Sequence, residues 1–192
     1  QGAGVLSRGH FRARAMESQK QRLSARLSSY WKMEVGNALL VPAIMVFVCV
    51  SYDQTLGIGL VLAWVPMGGL LVLGGLYWRA KLHQLEGRGE TMRAFVPLAR
   101  KWRLPLLATT VLALVLAVGV WLTDLAASTG ERWAITIAAA LAGLEYVNYY
   151  HRQLQHFDHW ADFRRLISGN GFAPSSMAKD LKRRPSDADH AD

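Results

Sequence analysis

Four long apolar stretches alternate with polar segments along the chain. They cover about residues 35–52, 55–78, 104–123 and 133–151, and Glu145 is the one charged residue inside them. A helix of about 20 apolar residues is long enough to cross the roughly 30 Å of hydrocarbon in a bilayer. The pattern therefore predicts an all-α integral membrane protein whose four transmembrane helices form a four-helix bundle.

Lysine and arginine are concentrated in alternate polar segments. Of the 22 in the chain, seven precede the first apolar stretch, seven lie between the second and third, seven follow the fourth, and the last is Arg132. Because cytoplasmic loops retain Lys and Arg, we expect both termini and the 79–103 loop to be cytoplasmic. The net charge of +8 then faces anionic lipid headgroups, and we expect no nucleic-acid partner.

The polar ends of the chain also have helical patterns. Residues 1–34 are expected to form a cytoplasmic segment with an amphipathic helix from Ser18, either along the membrane surface or running straight into the first span. The four-span domain would occupy 35–152. In the C-terminal segment, 153–192, helical periodicity continues from the fourth span to about Ile167, so we expect a cytoplasmic extension of that helix before a basic and polar tail.

Glycines mark two further features. Gly87-Arg88-Gly89 breaks the internal loop, after which Thr91–Trp102 is predicted to form a short interfacial helix. The second span contains six glycines, and small residues let helices approach closely in lipid. This favours close packing within the protein; a surface for a partner helix is the alternative.

Cysteine content and the absence of sorting signals limit the cellular location. The single Cys49 excludes an internal disulfide, and the first apolar stretch lacks the features of a cleavable signal peptide. A compact multi-pass chain of this kind favours the bacterial inner (plasma) membrane.

The carboxylate in the fourth span is the first candidate for chemistry. An intramembrane carboxylate is costly and usually faces a bundle interior or a wet cavity. Glu145, Asn148 and Arg152 would lie on one helical stripe, with His151 beside it. Glu34 and Asn37 repeat the Glu-x-x-Asn spacing at the entry to the first span, so the two pairs meet if these helices are neighbours.

Several roles are open for these residues. One hypothesis is that Glu145 fixes the helix register through buried polar contacts. A second is that it binds a ligand or lipid headgroup together with Glu34, and a third is that it moves protons or ions. His156, His159 and Asp162 form a weak metal candidate, because membrane metalloenzymes need several histidine clusters. We expect no metal and no cofactor.

Catalytic signatures are missing from the sequence. It contains no phosphate-binding glycine motif, nucleophile elbow or cysteine pair. We therefore expect a non-enzymatic accessory, scaffold or assembly subunit that engages other membrane proteins, or further copies of itself, and anionic lipid at the cytoplasmic leaflet. The alternative is a small membrane enzyme or transporter with its site around Glu145, Asn148 and His151.

Overall fold

The computed structural model of the protein describes residues 3–152 and 174–182. These residues form helices, turns and a single isolated bridge, without a strand, which confirms the all-α prediction for this part of the chain. The helices are α1 (Ala3–Ser51), α2 (Ile58–Leu85), α3 (Glu90–Leu122), α4 (Thr129–Tyr150) and α5 (Ser176–Lys182).

Three of the described helices are long and apolar enough to cross a membrane. They are α1 from Met16 to Ser51, α2 and α3. The 22-residue α4 is not among them, because Glu145, Asn148 and the tyrosines near its end make it more polar. The described part of the chain thus contains three candidate spans, which mark a membrane protein.

Consecutive helices run antiparallel, so α1 and α3 are antiparallel to α2 and α4 is parallel to it. Short connections at 52–57, 86–89 and 123–128 join them, and α2 packs against α1, α3 and α4. The connections 52–57 and 123–128 meet at one end of the bundle, which we call the loop end. The turn 86–89 and α5 lie towards the opposite end, which we call the α5 end.

The amphipathic N-terminal segment is part of α1. The helix continues without a break into the apolar stretch, so the second of the two predicted arrangements is the observed one. Its inner part packs along the end of α2: the Tyr30 and Trp78 ring centroids are 5.4 Å apart, and the Arg79 guanidinium lies 5.7 Å from the Trp31 ring.

The connection predicted at 79–103 is much shorter than expected. Helix α2 continues to Leu85 and α3 begins at Glu90, so only a four-residue turn joins them, with Gly87 at φ 85°. A hydrogen bond from Arg88 lowers the pKa of Glu86 in this turn. The prediction of a separate interfacial helix at Thr91–Trp102 is wrong. These residues form the first part of α3, which continues through both Pro97 and Pro105.

The prediction that the fourth helix continues past the span without a break is also wrong. Helix α4 ends at Tyr150, and His151 leaves helical geometry at φ −129° and ψ −72°. Arg152 then forms an isolated antiparallel bridge with Pro174. The rest of the predicted extension, 153–167, lies outside the described residues.

The core differs between the two ends. At the loop end it consists mostly of small side chains from α2, α3 and α4, among them Ala63, Ala113 and Ala138. At the α5 end it is aromatic, with buried Tyr77, Phe95, Tyr146, Tyr149 and Tyr150. Phe95 and Ala99, in the segment predicted to be interfacial, therefore face the core of the protein.

The outer surface of the helices is apolar. Leu39, Phe47, Val115 and Leu122 are 70%, 71%, 63% and 78% exposed, respectively. Soluble monomers rarely expose continuous apolar patches of this extent. The surface suits contact with hydrocarbon, as three candidate spans require.

The prediction that the glycines of α2 allow close packing is confirmed at most of these positions. A Cβ atom at Gly59 would lie 2.9 Å from Ile135 Cδ1 of α4, and one at Gly69 would lie 3.1 Å from Leu106 Cδ2 of α3. Gly68 differs, since the nearest atoms there belong to Trp64 of its own helix.

Candidate functional site

Two adjacent glycines bring three helices together near the α5 end. A Cβ atom at Gly74 would lie 2.7 Å from Tyr149 Cε1 of α4 and still closer to its hydroxyl oxygen. A Cβ atom at Gly75 would lie 2.6 Å from Val35 Cγ2 of α1. Because neither glycine has a side chain, α1 and α4 both reach the backbone of α2 here, which places Glu34 beside Tyr149.

The two predicted carboxylates meet at this crossing. Glu34 is buried, with 9% of its surface exposed, and Glu145 is half-buried. The Tyr149 hydroxyl lies near both, and the two carboxylates would repel each other where both are ionised. We call Glu34, Glu145, Asn148 and Tyr149 the carboxylate cluster.

Asn148 orients one member of the carboxylate cluster. Its Nδ2 donates to Glu145 Oε2 over 3.3 Å. The Glu-x-x-Asn spacing thus does place an amide against a carboxylate on one helix face. Asn37, the equivalent residue of α1, is half-buried one turn beyond Glu34.

The Tyr149 hydroxyl is the least satisfied polar group of the cluster. Its side chain is 3% exposed, and the hydroxyl completes no hydrogen bond of regular length and angle, although it interacts with Glu34. A buried hydroxyl without a full hydrogen bond costs about 1–3 kcal/mol. Sequence reasoning missed Tyr149, because an interfacial aromatic explains a tyrosine at this depth equally well.

The remaining predicted residues are placed apart from the cluster. His151 is exposed after the end of α4, with its ring centroid 5.7 Å from that of Tyr146. Arg152 lies beyond the helix, so the predicted stripe from Glu145 to Arg152 is interrupted. His156, His159 and Asp162 lie outside the described residues. Within the described ranges, no group of three His, Cys, Asp or Glu is placed to hold a metal.

Helix α5 closes the bundle next to the cluster. Ser175 Oγ donates to the Tyr149 carbonyl over 2.5 Å and accepts from Ala178 N at 3.0 Å, so it both caps α5 and ties it to α4. Met177 is 1% exposed and belongs to the aromatic core.

Charged contacts fix the other side of α5. Asp180 accepts from the Tyr77 hydroxyl at 2.8 Å and pairs with Lys81 Nζ at 2.8 Å. Arg100 donates to the Leu181 carbonyl over 2.6 Å. Helix α5 is therefore joined to α2, α3 and α4 together.

Asp180→Ala is expected to loosen α5 by about 1.5–3 kcal/mol, the contribution of hydrogen bonds to a charged group. Hydrogen exchange of the α5 amides should rise accordingly. Lys179→Ala, on the exposed face of the same helix, is the matched control and should leave exchange unchanged. Equal exchange in the two variants would show that the contacts of Ser175, Met177 and Leu181 hold α5 without Asp180.

Two cavities accompany these contacts. A small one of about 30 Å³ lies between α5 and the carboxylate cluster; its polar lining includes Asn148, Tyr149 and Ser176. It has room for about one water molecule. A larger apolar groove of about 460 Å³ lies between α1 and α2 and is lined by Val35, Ala38, Leu39, Trp64, Val65, Gly68 and Val72.

A second buried carboxylate lies at the loop end. Glu131, 1% exposed, accepts from Gly57 N at 2.8 Å and from Ala127 N at 2.6 Å, and so joins the two connections. Its own backbone amide donates to Ser128 Oγ over 3.1 Å. Ser128-Thr129-Gly130-Glu131 carries the Ser-x-x-Glu spacing of a capping box, a signal that sequence reasoning missed.

No protein-family model matches the chain, and no curated protein or solved structure is significantly similar to it. A pair of buried carboxylates with a tyrosine hydroxyl and an amide can bind a positive charge or hold helices in register, whereas the apolar groove can accept an acyl chain or a neighbouring helix.

Proposed function

We propose that the protein is a four-span accessory or assembly subunit of the bacterial inner membrane. Both termini and the α5 end face the cytoplasm in this proposal. The apolar groove between α1 and α2 is the observation that carries it, because it offers a ready contact surface for another membrane protein.

The placement of α4 supports four spans. Glu131 near its start lies beside Gly57 at the start of α2, and Tyr149 near its end lies against Gly74. At 1.5 Å per residue these segments rise about 26–27 Å. If this part of α2 crosses the hydrocarbon, which is roughly 30 Å thick, α4 crosses beside it despite its more polar sequence.

The charge distribution supports the orientation. Arg79 and Lys81 near the end of α2, and Arg100 and Lys101 in α3, lie towards the α5 end. Arg132, near the start of α4, is the cation of the loop end. Cations are retained on the cytoplasmic side, where they attract anionic headgroups at about 1 kcal/mol each.

The groove supports a role in assembly. Gly68 leaves it open, and Leu39, Val65 and Val72 on its walls are 70%, 56% and 43% exposed. Trp64 Nε1 is buried there without a hydrogen-bond partner. Membrane helices associate through small residues and interhelical hydrogen bonds, so a partner helix with a polar group opposite Trp64 fits this surface.

Accessible cysteines test the topology. In a Cys49→Ala background, Asp53→Cys and Asp124→Cys at the loop end should react with a membrane-impermeant maleimide in intact cells. Glu86→Cys and Lys179→Cys should react only after permeabilisation. Labelling of Lys179→Cys from outside would mean that α4 does not cross.

A substitution in the groove tests the assembly role. Val65→Trp should fill the groove and lower the mass of the complex extracted in mild detergent towards that of the 21.3 kDa chain with its micelle. Val115→Trp, at a similarly exposed position of α3, is the control and should leave the complex intact. A wild-type protein that is monomeric and partner-free in its native membrane would contradict the proposal.

The second candidate function is that of a small transporter or enzyme. The carboxylate cluster favours it, since intramembrane carboxylates often mark ion or substrate sites. Glu145→Gln separates the two: it should abolish transport or catalysis in that case, and leave partner binding unchanged if the groove carries the function.

A further inference from the structure

We propose that the carboxylate cluster binds one monovalent inorganic cation, Na⁺ or K⁺. This inference concerns the crossing of α1, α2 and α4 and does not depend on what occupies the groove between α1 and α2.

Where Glu34 and Glu145 are both ionised, they repel each other, and no cation among the described residues pairs with them. Asn148 supplies an amide hydrogen to Glu145, which is a neutral donor. Two like charges in a poorly solvated site are stabilised by a bound cation.

Tyr149 gives an independent indication of a ligand. Its hydroxyl is buried near both carboxylates, interacts with Glu34 and completes no hydrogen bond of regular length and angle. The small space left by Gly74 holds the ring in this position. A cation between the carboxylates would be coordinated by the Tyr149 hydroxyl oxygen. The hydroxyl, which otherwise lacks a regular hydrogen bond, would then have a partner.

The number and kind of ligands favour a monovalent ion. Ca²⁺ and Mg²⁺ require six or more oxygen ligands, usually with several carboxylates or waters, and the described residues offer no group of three acidic or metal-binding side chains. The two carboxylates and the Tyr149 hydroxyl are hard oxygen donors. The adjacent cavity of about 30 Å³ has room for one completing water.

The burial of the cluster argues against a larger cationic group. Glu34 is 9% exposed, and α5 covers the cavity on its other side through Ser176 and Met177. A lipid ammonium headgroup is bulkier than an inorganic ion and fits beside the buried Glu34 less well.

Thermal unfolding of the purified full chain in detergent tests the proposal. At fixed pH and ionic strength, NaCl or KCl should raise the Tm over N-methyl-D-glucamine chloride by roughly 2–4 °C, saturating with concentration, as ligand binding to the folded state does. The same Tm in all three salts would overturn the proposal.

Matched variants locate the effect. Glu34→Gln and Glu145→Gln should be at least as stable as wild type in N-methyl-D-glucamine chloride, because repulsion is removed, and should lose the response to Na⁺ or K⁺. Tyr149→Phe should weaken the response. Glu131→Gln, a buried carboxylate at the opposite end, should lower the Tm in every salt and keep the response.

Two other outcomes would also overturn the proposal, because they would show that a proton or a lipid headgroup, and not Na⁺ or K⁺, stabilises the two carboxylates. A Tm that rises with acidity at any salt composition would indicate a shared proton. A response that appears only in nanodiscs containing phosphatidylethanolamine would indicate a headgroup ammonium. By contrast, loss of assembly in Val65→Trp with the cation response retained would support the proposal and separate this site from the proposed groove function.

Discussion

Gly74→Ala is expected to destabilise the protein by about 1–3 kcal/mol, the usual cost of overpacking a filled core. The added methyl group would overlap the Tyr149 ring, with the Cε1 atom at 2.7 Å. The ring cannot move aside easily, because Tyr149 is 97% buried, with 3% of its surface exposed, and its backbone is tied to Ser175.

Gly36→Ala provides the matched control. A Cβ atom at Gly36 of α1 would have no neighbour within 4 Å, and glycine in a helix interior is less favourable than alanine by about 0.8–1.0 kcal/mol. This variant should be as stable as wild type or more so. Thermal unfolding of both in detergent checks the pair, and a Gly74→Ala variant as stable as Gly36→Ala would show that α4 does not pack against α2 in this way.

Glu131→Ala is expected to have the larger effect, a loss of roughly 2–6 kcal/mol. The substitution leaves Gly57 N and Ala127 N buried without their acceptor, and each such group costs about 1–3 kcal/mol. Because the two connections would separate, the loop end should open first, visible as faster hydrogen exchange at residues 54–57 and 127–131.

Glu90→Ala is the control for the loop-end prediction. Glu90 also lies in the first turn of a helix, α3, but it is exposed. Its interaction with the helix dipole contributes only about 0.3–1 kcal/mol. Similar losses in the two variants would mean that Glu131 acts as an ordinary first-turn acid and not as the link between the connections.

Both predictions concern contacts of α2, which explains why its sequence is unusual. Glycine at Gly57, Gly69, Gly74 and Gly75 leaves space for groups from α4, α3, α4 and α1, respectively. In lipid, close packing replaces the hydrophobic effect as the force between helices. Helices α1, α3 and α4 therefore all pack against the glycine-rich α2.

Much of the architecture was predictable because it follows from local composition. Apolar length fixed the cores of the helices, and Gly87-Arg88-Gly89 marked the turn between α2 and α3 correctly. The prediction of a separate interfacial helix failed because Pro105 does not divide the two segments: it lies inside the continuous α3. The helix end at Tyr150 was missed because apolar periodicity continues beyond it in the sequence.

The candidate site was predictable only in part. Glu145 and Glu34 stood out because charge is rare in apolar helices, and the structure places them together. Tyr149 and Glu131 do not differ in this way from their sequence neighbours. A tyrosine near the end of a span and a glutamate in the first turn of a helix are common at exposed positions. Their importance comes from what packs against them.

The sequence by itself determined that the chain forms long apolar helices. It also determined that Lys and Arg are concentrated before the first apolar stretch, between the second and third, and after the fourth, since both features depend on local composition alone. The tertiary structure decided which helices touch. Gly74 and Gly75 bring α1 and α4 onto α2, so residues 34 and 145, more than a hundred positions apart, share one buried site. Only the crossing of three helices turns two isolated acids into a place that can hold a positive charge.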